Sequence, residues 1–336
     1  MAGLPLTFKI NGRQQRTGEA LMPADTAALI REIYTLSKRS PTAIESPLDD
    51  DDFSFAIGRL GRFRVNVLHQ RGSLAAVLRV IHFELPEPGA LGIPPAVLRA
   101  AGCRKGLVLV TGPAGSGKST TLACLIDQIN RTREGHIITI EDPLEFLHSH
   151  QKCIVTQREI ATDTPGYLHA LRSALRESPD VILLGEMRDR DTITVAMTAA
   201  ETGELLLSTL HTVGAANAVD RIVDVFPAEQ QYQIRVQLSM VLQAVISQQI
   251  LPAEDGRQVV AFETMYANAA IRNLIREGKT QQLDTAIQNG AAEGMVTMDA
   301  SLFKLYQSKV ISCDTALTHC VHYDAMKQRL SGSRML

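Results

Sequence analysis

The chain has 336 residues, enough for two domains that each bury a core. Its formal net charge of −2 lends no support to a nucleic-acid or membrane-surface partner held by overall charge. Five cysteines, Cys103, Cys124, Cys153, Cys313 and Cys320, form an odd, scattered set without a C-x-x-C pair, which argues against a disulfide framework and for a reducing compartment. No apolar run approaches the ~18 residues of a membrane span, and the N-terminal segment has no signal-like apolar stretch. We therefore expect a cytoplasmic protein without direct membrane insertion, at most peripherally attached to a membrane.

The first elements are short strand-like runs at Leu6 to Ile10, Phe53 to Ile57, Arg62 to Leu68 and Ala75 to Ile81, with one amphipathic helix from about Pro23 to Leu36. They predict a small α+β module over residues 1–85. The run Asp49-Asp50-Asp51-Asp52 reads as a solvated loop. Glu84 to Pro95 packs four prolines and two glycines into twelve residues, which predicts a linker over 86–100. Beyond it strands alternate with helices: His136 to Ile140, Val181 to Leu184 and Leu205 to Leu210 are β-favouring apolar runs, separated by helical patterns at Tyr167 to Glu177 and Asp191 to Glu201. That alternation predicts an α/β core with a mostly parallel sheet over 101–267. Residues 268–336 read as helical, through Ile271 to Glu277, Gln281 to Gln288 and Met298 to Gln307.

The most specific motif is Gly112-Pro113-Ala114-Gly115-Ser116-Gly117-Lys118-Ser119-Thr120, directly after the apolar run Gly106 to Val110 and directly before a helical pattern. This G-x-x-x-x-G-K-[ST] spacing, in a strand-to-helix context, is a phosphate cradle. Its glycines let backbone N–H groups turn inward, and the helix N-terminus favours an anion. Lys118 supplies charge to the β- and γ-phosphates of ATP, and the Ser119 hydroxyl is placed to hold a Mg²⁺ that bridges them.

Three further groups sit where apolar strands end, the edge at which open α/β sheets collect ligands. The run Val181 to Leu184 delivers Glu186, which has the reach to orient an attacking water or to hold Mg²⁺. Glu141-Asp142-Pro143-Leu144-Glu145 follows the preceding strand and offers carboxylates for metal or nucleophile positioning. His211 ends the run Leu205 to Leu210 and is a candidate sensor of the γ-phosphate.

Taken together, the phosphate loop, Ile140 to Phe146 (IEDPLEF), Leu183 to Asp189 (LLGEMRD) and Ser208 to Pro227 resemble the four ordered boxes of secretion and pilus motor ATPases. Within that superfamily, Ala270 to Lys279 (AIRNLIREGK) resembles a segment typical of the type IV pilus retraction ATPases, the twitching-motility motors of the PilT family. Asp52-Phe53-Ser54-Phe55 and Arg62-Phe63-Arg64-Val65-Asn66 are similar to that family's PAS-like N-terminal module.

The resemblance implies a RecA-like core, Glu186 as catalytic glutamate and a homo-hexameric ring in which Arg64 and Arg79 act as arginine fingers. Arg172, Arg176 and Arg188 become phosphate-side or interface candidates. It also implies ATP-driven pilus retraction, with an inner-membrane pilus platform protein as partner and other pilus motor ATPases as neighbours. Two departures from the family pattern are Glu204 after Thr202-Gly203, where a histidine is usual, and Ser178-Pro179-Asp180 in place of DPD. The alternative reading is a nucleotide-binding accessory subunit of such a motor, with weak or no hydrolysis. A DNA translocase finds no support, because no basic stripe with interleaved aromatics is present.

Overall fold

A computed structural model describes residues 1–10, 13–41, 44, 46, 49–58, 60–81 and 85–333. The chain divides into two units, Met1–Glu84 with Glu145–Leu147, and Leu85–Leu144 with His148–Leu336.

In the first unit, strands β3 (Asp51–Ile57), β4 (Gly61–Gln70) and β5 (Ser73–Ile81) form an antiparallel sheet in sequence order. Alternation sends Phe53, Phe55, Val65 and Val67 to one face, where Ile30 and Tyr34 of helix α1 (Pro23–Ser37) cover them. The helix starts at Pro23, whose missing N–H is no loss there, while Asp25 accepts from the Met22 N–H at 2.7 Å. The Tyr34 hydroxyl donates to Asp51 Oδ2 at 2.9 Å, so part of the expected acidic loop is strand and one of its carboxylates is buried. A separate antiparallel pair, β1 (Leu6–Ile10) and β2 (Arg13–Thr17), belongs to the same unit.

The second unit is built on a seven-stranded sheet. Its strands are β6 (Gly106–Thr111), β7 (Gly135–Glu141), β8 (Cys153–Glu159), β9 (Val181–Leu184), β10 (Leu205–Leu210), β11 (Leu242–Pro252) and β12 (Gln258–Tyr266). The order is β12-β11-β6-β10-β9-β7-β8, parallel throughout except for the antiparallel edge strand β12. β6, β9 and β10 are buried at every residue, as unbroken apolar runs in a parallel sheet must be when helices cover both faces.

The covering helices begin with α2 (Pro95–Leu98), α3 (Lys118–Thr132), α4 (Tyr167–Ala174) and α5 (Arg190–Thr202). They continue with α6 (Ala215–Asp224) and α7 (Ala228–Val241). Helix α2 falls within the proline-rich stretch read as a linker: Pro94 and Pro95 open it, and Val97 and Ala100 are sealed in the core. Helix α4 is shorter than the expected Tyr167 to Glu177, because Arg176 and Glu177 bond three residues back and Ser178 turns left-handed at φ 51°. The strands β8, β11 and β12 and the helix α7 had no clear periodicity in the sequence, since each mixes polar with apolar positions.

The C-terminal region is helical: α8 (Ala269–Glu277), α9 (Leu283–Asn289), α10 (Met298–Gln307), α11 (Cys313–His319) and α12 (Tyr323–Ser333). Asn268, Thr297 and Ser312 cap three of these through side-chain oxygens. Met298, Leu302, Ile311, Ala316, Met326 and Leu330 pack with Leu251 and Ala261 into a core of their own beside the β11–β12 edge. Among the described residues, no helix is long and apolar enough to cross a membrane.

Candidate active site

The phosphate loop leaves the central strand β6 at Thr111 and enters α3 at Lys118. Gly112 holds φ 145°, and a Cβ there would run into the Gln248 carbonyl of β11, so neither the backbone angle nor the space admits a side chain. Pro113, Ala114 and Gly115 form the exposed crest, while Ser116 and Lys118 are buried and Ser119 and Thr120 are half-buried in the first helical turn. Lys118 Nζ donates to the carbonyl oxygens of Gly112 and Pro113, each at 2.9 Å, so the ammonium is folded back over the loop's own backbone.

Two hydroxyls at the loop's base, Thr111 Oγ1 and Ser116 Oγ, are buried without a hydrogen-bond partner among the described residues. Buried unsatisfied donors are costly, by about 1–3 kcal/mol each, and a phosphate oxygen supplies the acceptor they lack. An anion therefore fits this loop on charge, on backbone shape and on polar satisfaction. Around it the donors for a divalent cation are all oxygens, the Ser119 hydroxyl and the carboxylates at the strand ends, which suits a hard ion such as Mg²⁺. No cluster of three metal-ligating side chains occurs among the described residues.

Glu186 follows β9 and brings the acid to the same edge of the sheet. Its Oε1 lies 2.5 Å from Arg188 Nε and its Oε2 lies 3.5 Å from His211 Nε2. The carboxylate is 11% exposed whereas the Arg188 side chain is 75% exposed, so one oxygen is tied to a screened surface cation and the group still reaches solvent. That bond holds the Arg188 guanidinium above its ordinary pKa. Strand neighbours hold the Glu186 loop in place: Thr209 Oγ1 donates to the Gly185 carbonyl at 2.6 Å, and the Gly185 N–H donates to the Ile140 carbonyl at 2.8 Å.

Glu141 accepts from Thr139 Oγ1 at 2.7 Å at the end of β7. Residues Glu145–Leu147 group with the first unit, so the cluster expected at Glu141, Asp142 and Glu145 divides between the two units. Within the first unit, Arg64 and Arg79 face each other directly across β4 and β5. Arg64 is gripped by both oxygens of Asp52, at 3.0 and 2.7 Å. Glu204, at the departure from the family pattern, lies just past the end of helix α5 and accepts from Thr202 Oγ1 at 2.8 Å.

Two residues of this region carried no motif. Tyr167 opens α4, and its hydroxyl comes so close to the strand end that a Cβ on Gly185 would stand 2.9 Å from it. Burial, then the charges of Glu186, Asp142 and Glu141, push its pKa well above the ordinary phenol value, so it remains a neutral donor beside the acids. Gln248 of β11 donates through Nε2 to the Ser116 carbonyl at 2.5 Å. A signal was present in the sequence, the polar trio Ser247-Gln248-Gln249 interrupting an otherwise apolar strand.

Comparison with known proteins matches this geometry to a family. Residues 3–318 match the model of the type II/IV secretion system protein family. The chain is 46% identical, over 94% of its length and 91% of the relative's, to the type IV pilus retraction ATPase PilT of Pseudomonas aeruginosa. It is 49% identical to a twitching motility protein of Neisseria gonorrhoeae over 82% of this chain and 74% of that one. A crystal structure of the pilus retraction motor PilT with bound ADP superposes with a TM-score of 0.89 at 45% identity, covering 98% of this chain and 94% of that one. On the match over residues 3–318 and the identity across nearly the whole chain, this protein belongs to the PilT family of ATPases within the type II/IV secretion system proteins.

Proposed function

We propose that this chain is the ATP-hydrolysing subunit of a homo-hexameric motor that powers type IV pilus retraction. The observation that carries the reading is that the buried Lys118 of the phosphate loop and the partly buried Glu186, two strands away, stand at one edge of the sheet. The 46% identity to the Pseudomonas aeruginosa retraction ATPase supports the choice of machine.

In this reading the loop N–H groups, Lys118, Ser116 and Thr111 bind the phosphates of ATP, with Lys118 exchanging its backbone carbonyl partners for phosphate oxygens. Ser119, with Glu186 or Glu141, would hold Mg²⁺, which when bound neutralises charge between the β- and γ-phosphates. Glu186 accepts a hydrogen bond from a water and aims it at the terminal phosphate, and His211, 3.5 Å away, orients that carboxylate. Arg64 and Arg79 offer fingers to a neighbouring subunit's nucleotide, a contribution of about 10³-fold or more in turnover when docked. For Arg64 this requires leaving Asp52, an exposed pair worth at most about 1 kcal/mol. The ring would act beneath a pilus platform protein in the inner membrane, alongside other motor ATPases of the pilus.

The test is steady-state ATP hydrolysis of the purified protein with Mg²⁺, with Lys118→Ala and Glu186→Gln alongside and the oligomeric mass recorded. Turnover by a hexamer, lost in both variants, supports the motor. Tight nucleotide binding with no turnover in the unaltered chain would overturn it in favour of an accessory subunit.

A further inference from the structure

Gln248 and Gln249 are neighbours in the middle of β11, and both are buried. Successive strand residues point to opposite faces, so the two amides serve different parts of the unit. Gln249 donates through Nε2 to the His319 carbonyl at 3.3 Å and meets His319 Nδ1 through Oε1 at 3.1 Å, fastening the end of α11. Gln248 turns to the phosphate loop instead. Its Nε2 donates to the Ser116 carbonyl at 2.5 Å, its own carbonyl closes the space at Gly112, and its Nε2 would stand 3.3 Å from a Cβ on Gly117.

We propose that Gln248 is a positioning residue of the phosphate loop, holding the Ser116–Gly117 peptide with its N–H turned toward the bound anion. This role presupposes that the loop binds a nucleotide, and it follows from peptide geometry. In a planar trans peptide the C=O and the following N–H point in opposite directions. A donor that pins the Ser116 oxygen on the β11 side therefore fixes the Gly117 N–H on the other. Gly117, at φ 85°, is in a region where glycine rotates freely, so this peptide has no steric lock of its own. Released, it can flip and present the Ser116 carbonyl to the phosphates, replacing a donor by a repelling dipole. Gln248 Oε1 is buried without a partner among the described residues, so the amide's one strong bond in the structure is the bond to the loop.

Gln249 supplies an internal control, since it has the same chemistry, the same strand and similar burial but no bond to the loop. The experiment measures melting of the full chain with and without ADP, together with kcat and KM for ATP, in the unaltered protein, Gln248→Met and Gln249→Met. The expected result is an ADP-induced rise in melting temperature in the unaltered chain and ADP affinity weakened roughly three- to tenfold in Gln248→Met. KM for ATP should rise more than kcat falls, and Gln249→Met should keep the original affinity. Gln248→Glu, which keeps the volume and sets an acceptor against the Ser116 oxygen, should weaken ADP at least as far and serves if the methionine variant does not fold. Unchanged affinity in the Gln248 variants, or an equal loss in Gln249→Met, would overturn the inference. Absence of any ADP effect on the unaltered chain would instead overturn the nucleotide reading, and this assignment with it.

Discussion

Glu186 at the end of β9 and Glu263 inside β12 are carboxylates of one sheet put to opposite uses. Glu186 stands just past the end of β9, beside a largely exposed arginine and a half-exposed histidine that solvent can replace. Glu263 is 2% exposed and has two fixed partners: its Oε1 accepts from the Ala215 N–H at 2.7 Å and its Oε2 from the Met298 N–H at 3.1 Å. It thereby caps the first turns of α6 and α10 together, joining the segment after His211 to the C-terminal helices. Burial raises its pKa more than those two bonds lower it. The contrast teaches that a carboxylate becomes available for chemistry through the exchangeability of its partners rather than through its place in a strand.

The largest effect that could break this contrast is on turnover. If Glu186 orients the attacking water, Glu186→Gln, which keeps the shape and removes the charge, should cut ATP hydrolysis by about 10²- to 10⁴-fold while ADP still binds. Retention of full activity would place the water-orienting carboxylate elsewhere. Glu263→Ala should leave no folded protein with normal melting, because two helix N-termini lose a buried acceptor, a loss of about 3 kcal/mol, seen in a urea midpoint. If Glu263→Ala melted normally yet lost turnover, Glu263 would belong with Glu186 and the contrast would fail.

A smaller effect sharpens the comparison through pH. With its pKa raised on folding, Glu263 binds its proton more tightly in the native state, so its contribution is complete below the ordinary glutamate value of 4.5 and declines as pH rises through the elevated one. The stability gap between the unaltered chain and Glu263→Gln should therefore move in favour of the glutamine as pH is raised toward neutral, read from urea midpoints at each pH. A gap independent of pH would mean that the carboxyl does not titrate with folding. Least of all, Arg188→Ala should change stability by at most about 1 kcal/mol, since its ion pair with Glu186 is screened by solvent.

Much of the site could be read directly from residue order. Lys118 and Ser119 are recognisable because a phosphate loop uses local backbone, and nine consecutive residues carry the whole cradle. Glu186 and His211 are recognisable as groups that end apolar runs, and the sheet does bring them within 3.5 Å of each other. Tyr167 and Gln248 escaped that reading because their importance lies in what they touch, and their partners are distant in the chain: Ser116 is 132 residues from Gln248. The same holds for Glu145, which looked continuous with Glu141 in sequence and groups with the other unit in space.

The sequence alone determined the class of the protein: an alternating α/β core, its phosphate loop, a helical tail and a smaller N-terminal module, all written in local periodicity and in motifs of a few residues. Only the tertiary structure decided which polar groups serve the site and which serve the fold. β11 and β12 arrive late in the chain and take one edge of the sheet beside β6, so the partners of Gln248, Gln249 and Glu263 follow from strand order and register. Hydrogen bonds made across such distances leave no periodic trace in the residues that make them.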